Sequence, residues 1–186
     1  MSIPIPLMQR PGHRPDSLVK MDLDGAILDG GKPSSEVKMH LRAYQENPDI
    51  TGVVHAHPAS ATSFSVMGME MKKPVVAEAV LVTGNILIAP YAKPGTYDVP
   101  DSIAPFINRY NAVLLANHGA LSWGKDLYQA LYRMEALEHQ AGILFRTLIL
   151  AHITGRDVPY LSGEALAGLV QIRDEMGILT GGIPEN

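Results

Sequence analysis

From about Lys125 to His152 a single helical period runs without a break. Leu127, Leu131, Met134, Leu137, Ala141, Leu144 and Leu148 recur at steps of three or four and fall on one side of a long helix. A helix with one apolar stripe has to bury it against another layer. Candidates for that layer are the apolar runs "ITGVVHAH" (50–57) and "NAVLLANHGALSW" (111–123), each read as one buried strand. "PVVAEAVLVTGNILIAPYA" (74–92) holds two β-branched runs parted by Gly84-Asn85, which reads as a hairpin. "SLVKMDLDGAILDGG" (17–31) alternates and turns at Asp24-Gly25, a second hairpin signal.

Shorter helices are expected between the strands. One follows Pro33, with Val37, Leu41 and Tyr44 at helical spacing, and stops at Pro48. Others are expected over 58–67, 101–110 and 162–176, with a loose Gly-rich tail and an irregular, Pro-rich start. The expected fold is α/β, a mixed and largely antiparallel sheet covered by helices on both faces as a three-layer α/β/α sandwich. We see no internal repeat and no linker, so residues 1–186 read as a single domain.

Charge and composition narrow the function. The chain has 186 residues, a net charge of −4 and a pI near 5.9, and no stripe of Lys or Arg, so nucleic acid is not expected as a partner. It has no cysteine, so a zinc site must use histidine and carboxylate. The start of the chain does not read as a signal peptide, and no apolar stretch is long and unbroken enough to span a bilayer. The expected location is the cytoplasm, with no membrane partner.

Three pieces carry the candidate chemistry. His55 and His57 in "VVHAHPAS" project from the same side of a strand, about 7 Å apart along it. They are two corners of a metal site or two polar residues at a strand end. His118 in "LLANHGAL" also ends an apolar strand, and Gly119 follows where the chain turns sharply or approaches another group closely. Three imidazoles with a fourth position open is the arrangement of a catalytic zinc. Glu36 in "PSSEVKMH" is a carboxylate favoured by a helix start, or one that binds metal or acts as a base.

In order and spacing, "PSSEVKMHLRAYQENPDITGVVHAHPASATSFS", "APYAKPGT" and "AVLLANHGALSWGKDLYQALYRMEALEHQA" resemble the class II aldolase/adducin family. The resemblance covers about Leu18 to Met176. It implies that His55, His57 and His118 hold Zn2+, that Glu36 is the general base, and that Ser34 and Ser35 sit with a substrate phosphate, as a helix start suits an anion. It implies reversible cleavage of a phosphorylated ketose to dihydroxyacetone phosphate and an aldehyde, in a homotetramer with sites between subunits. Glutamate at position 36 favours aldolases over the family's pentose-phosphate epimerases, which usually carry aspartate there. An epimerase, a dehydratase and a non-catalytic adducin-like module are the alternatives.

The sequence also departs from the family pattern. The family's amino-terminal helix and Gly-Asn hairpin, which complete its phosphate pocket, have no counterpart in "MSIPIPLMQRPGHRP". Arg10, His13 and Arg14 either supply charge for a phosphate or are simply solvated. Two tyrosines near the substrate in the family's sugar-phosphate aldolases correspond to Glu78 and Met176. His40 reads as a helix-surface histidine, His139 as an interhelical hydrogen-bonding residue, and Trp123 as core. Asn117, beside His118, has an open role.

Overall fold

The computed structural model describes residues 18–178 and 180–183. The irregular start, with Arg10, His13 and Arg14, lies outside them. Four strands form the main sheet: β3 (Gly52–Ala56), β4 (Leu87–Ala89), β5 (Ala112–Leu115) and β6 (Gly119–Gly124). They lie side by side in the order β3-β6-β5-β4, and only the β4–β5 pair is parallel. A separate antiparallel hairpin, β1 (Lys20–Met21) and β2 (Ile27–Asp29), turns through Gly25 at φ +91°. That hairpin and the mixed sheet were both expected.

Helices cover both faces. α1 (Val37–Glu46) and α3 (Asp98–Ile107) bury Met39, Ala43, Tyr44, Ile103 and Ile107 against Val53, Val113, Leu121 and Trp123. On the opposite face, α2 (Ala59–Val66) and α4 (Leu127–Thr154) cover Val54, Ala112, Leu114 and Ala120. Alternate strand residues thus serve alternate layers, which is why the strands read as continuous apolar runs. All seven residues of the predicted α4 stripe lie in or against that second core. Asp126 caps α4 by accepting from Gln129 N at 2.7 Å, and Gly155 ends it at φ +66°. α5 (Gly163–Glu175) starts at Ser162, whose hydroxyl accepts from Ala165 N.

Some expectations fail. Gly84-Asn85 is not a hairpin: Ala79–Thr83 is a π-helical turn, and Leu87–Ala89 pairs in parallel with β5. Packing overrides β-propensity here. Val80 is fully buried, and the Thr83 hydroxyl donates to Gln140 Oε1 on α4 at 3.1 Å. Gly84 serves close approach instead, since a Cβ would fall 2.0 Å from the Gly181 carbonyl oxygen. The run 111–123 holds two strands joined by a tight turn in which Asn117 takes the left-handed conformation, φ +55°.

The described part of the tail is not loose. Arg173, only 4% exposed, donates to the carbonyls of Thr180 and Gly182, and Asn85 N donates to Gly181 O at 2.7 Å. In α1 the buried face is Met39, His40, Ala43 and Tyr44, with Val37 and Leu41 half-buried at its edge.

Candidate metal centre

β3 brings His55 onto the face it shares with Val53, under α1, where it is 3% exposed. Its Nδ1 lies 2.9 Å from the Ala120 carbonyl oxygen on β6. A carbonyl only accepts, so Nδ1 carries the proton and the neutral ring offers its Nε2 lone pair. That Nε2 faces His57 Nε2 at 3.0 Å and Glu36 Oε2 at 3.2 Å. His118, in the β5–β6 turn, brings its Nε2 to 2.8 Å from Glu36 Oε1. Glu36 occupies the N-cap position of α1 but makes no cap bond; its carboxylate is turned to the histidines instead.

The four residues each offer one ligand atom, and these atoms all lie within 4.8 Å of one another. Four ligands at Zn bond lengths of 2.0–2.1 Å around a tetrahedron sit about 3.3 Å apart. The donor set therefore fits a small divalent cation. The chemistry fits too, because lone pairs of a carboxylate and of imidazoles converge, and only a proton or a cation relieves that. Gly119 makes the convergence possible. A Cβ there would stand 2.5 Å from His57 Cδ2 and 2.6 Å from the Ala56 carbonyl oxygen. The expected close approach at Gly119 is what the structure shows.

Electrostatics are those of a shared, partly dry site. Where protons rather than a cation relieve the cluster, hydrogen bonds from His118 and then His55 hold the Glu36 carboxyl well below the usual carboxylate range, against the opposing effect of burial. Burial is the main cause that lowers His57.

His40 is a correction: it is fully buried rather than on the helix surface, one turn from Glu36, and neither ring nitrogen has a hydrogen-bond partner among the described residues. Burial pushes it down to about 3. Between pH 6.5 and 3 the unfolded chain takes up a proton that the folded chain refuses, so this contribution to stability is full above pH 6.5 and lost as pH falls. His40→Leu should remove a slope of up to about 1.4 kcal/mol per pH unit. Urea denaturation of the EDTA-treated chain from pH 7 to 4 checks this, and parallel stability curves for variant and wild type would refute it.

A family model, the Class II Aldolase and Adducin N-terminal domain, matches residues 8–145. The chain belongs to the class II aldolase/adducin family. Over 158 residues it is 35% identical to the 3-oxo-tetronate 4-phosphate decarboxylase of Pectobacterium atrosepticum, covering 83% of this chain and 70% of that one. Over 156 residues it is 31% identical to the L-fuculose phosphate aldolase of Escherichia coli, covering 83% and 70%. Among solved structures, YgbL of Escherichia coli, a candidate aldolase, epimerase or decarboxylase, superposes with a TM-score of 0.74 at 32% identity, covering 86% of this chain and 75% of that one.

In this chain Glu36, His55, His57 and His118 form a cluster that could hold a metal ion. Beside it lies an open, shallow cavity lined in part by Ser35, Glu36, Lys38, Gly95, Thr96 and His118. Ser35 thus faces the cavity. Ser34 is not among its lining residues, and its hydroxyl accepts from Glu36 N at 3.3 Å. Lys38 was not singled out from the sequence. Its Nζ donates to Gly95 O at 2.8 Å and stands 4.2 Å from the Tyr97 ring centre. Its partners lie 57 or more residues away, beyond the reach of any local pattern. Glu78, Met176 and His139 are exposed, and Trp123 is core as expected.

Proposed function

We propose that this chain cleaves a carbon–carbon bond beside a carbonyl in a small phosphorylated sugar, reversibly releasing dihydroxyacetone phosphate and an aldehyde, with Zn2+ as cofactor. The observation that carries this reading is the convergence of Glu36 with three imidazoles at the edge of a cavity that Ser35, Lys38 and Thr96 help to line. His55, His57 and His118 would hold a divalent metal, which when bound would supply Lewis-acid polarisation of the substrate carbonyl. In cleavage the hydroxyl on the departing carbon gives up its proton as that carbon becomes the aldehyde, the electron pair of the broken bond stays on the carbon next to the carbonyl, and that carbon takes a proton. Glu36 delivers the proton in this direction and removes it in condensation. His55 is kept in one tautomer by Ala120 O, so its Nε2 stays available as a ligand. Ser35 and the Lys38 ammonium offer the cavity a hydroxyl and a positive charge for a phosphate.

A second reading has its own support. The 35% identity to a 3-oxo-tetronate 4-phosphate decarboxylase favours a phosphorylated 3-oxo acid that loses CO2. Decarboxylation leaves an electron pair on the same kind of carbon and needs the same proton, so Glu36 and the metal ligands serve either reaction. What differs is the group leaving: an aldehyde or CO2.

We also propose a homotetramer in the cytoplasm. The outer side of α4 exposes Tyr128, Tyr132, Phe145, Ile149 and Ile153, a surface suited to another copy. No helix among the described residues is long and apolar enough to cross a membrane.

Metal analysis of the purified chain, with product analysis on ketose 1-phosphates and on 3-oxo acid 4-phosphates, tests the function. Bound zinc with dihydroxyacetone phosphate release is the expected result. CO2 release without dihydroxyacetone phosphate would select the second reading, and a chain that takes up no divalent metal would overturn both.

A further inference from the structure

α2 opens two residues after His57, and its own sequence does not cap it: Pro58, at the N-cap, makes no side-chain hydrogen bond. A helix start leaves free amides that need acceptors. Two of them, Ser60 N and Ala61 N, donate to Oε1 and Oε2 of Glu138, each at 2.9 Å. Glu138 belongs to α4 and is 77 and 78 residues away from them in sequence. The carboxylate thus grips the helix start with both oxygens, where charge-assisted bonds and the helix dipole act together. α4 comes close along this stretch, since a Cβ on Gly142 would lie 3.3 Å from the Ser60 hydroxyl oxygen.

His57 sits just before this clamp. His55 is oriented by the Ala120 carbonyl, whereas the only hydrogen bond of the His57 ring among the described residues is to His55. Its place therefore depends on the backbone on either side: β3 before it, the start of α2 after it, with Gly119 making room for the ring. We infer that Glu138 is a positioning residue for His57, holding the start of α2 so that the His57 imidazole points at His55, Glu36 and His118. This inference rests on the metal reading of the site. Glu138 touches neither the ligand atoms nor the cavity, so its effect should appear in metal affinity and ligand geometry.

The test uses the full chain stripped with EDTA. Zn2+ is titrated in competition with a chromophoric chelator, and Co2+ binding is followed by its visible absorption bands. Glu138→Ala should weaken Zn2+ binding by about 10- to 100-fold and shift the Co2+ bands, as loss of a ligand-orienting partner does. Glu138→Gln keeps one acceptor oxygen and should fall between; it also serves if the alanine variant does not fold. Leu144→Ala, a core truncation on the same helix, should lower Tm while leaving the affinity unchanged.

Glutamate variants that bind Zn2+ within about twofold of wild type, with unaltered Co2+ bands, would overturn the inference while leaving the metal site intact. So would an equal loss in Leu144→Ala, because general loosening of α4 would then explain the effect. A wild-type chain that binds neither ion would sink the metal reading itself, and the inference with it.

Discussion

Glu36→Gln should leave the chain with its metal and almost without turnover. The amide keeps the size of the carboxylate and still accepts a hydrogen bond, and the three imidazoles are untouched. It cannot hold or return a proton. Losing a positioned acid/base costs about 10²- to 10⁴-fold in rate, and that is the expected drop in product release. Metal content per chain, measured beside single-turnover product release, separates the outcomes. Full activity in the variant would remove Glu36 from the chemistry. Loss of the metal together with the activity would make it an essential ligand instead of a base.

Gly119→Ala should do comparable damage without touching a polar group. The added methyl meets the His57 ring on one side and the Ala56 carbonyl on the other. The carbonyl belongs to the β3 end that pairs with β6 through Ala56 and Ala120, so it has little room to retreat. Either His57 swings away from His55, or the strands part at the site. Overpacking of this kind costs about 1–3 kcal/mol, and a displaced imidazole should weaken metal binding by about 10- to 100-fold or more. Gly168→Ala, in the interior of α5 with open space around its Cβ position, is the control and should be neutral or stabilising. The readouts are Tm of the stripped chain and Zn2+ affinity; a Gly119→Ala variant matching wild type in both would show that the strand ends are looser than their contacts suggest.

Much of this site is legible from short stretches of chain. His55 and His57 are two residues apart on one strand, so the period-2 geometry of a strand puts them on one side before any tertiary contact is known. His118 could be linked to them because it too follows an apolar run and precedes a glycine that a close approach would require. His40 shows the limit of the same reasoning. It lies four residues from Glu36, a spacing that equally suits a solvated helix face and a buried one, and α1 buries the face that carries it.

Local pattern alone was enough for the layers, the long α4 with its stripe, the two histidine-bearing strand ends and the absence of thiolate ligands. These depend on local periodicity or on residue type, which the chain carries wherever it folds. Long-range packing was needed to show that Ala79–Thr83 coils rather than pairs, that the described part of the tail is tied to Asn85 and Arg173, and that Lys38 reaches Gly95. It alone also joined Glu138 to the start of α2. Each of these depends on a partner supplied by a distant segment, and where local preference is weak or ambiguous, the free energy of burying and satisfying that partner sets the conformation.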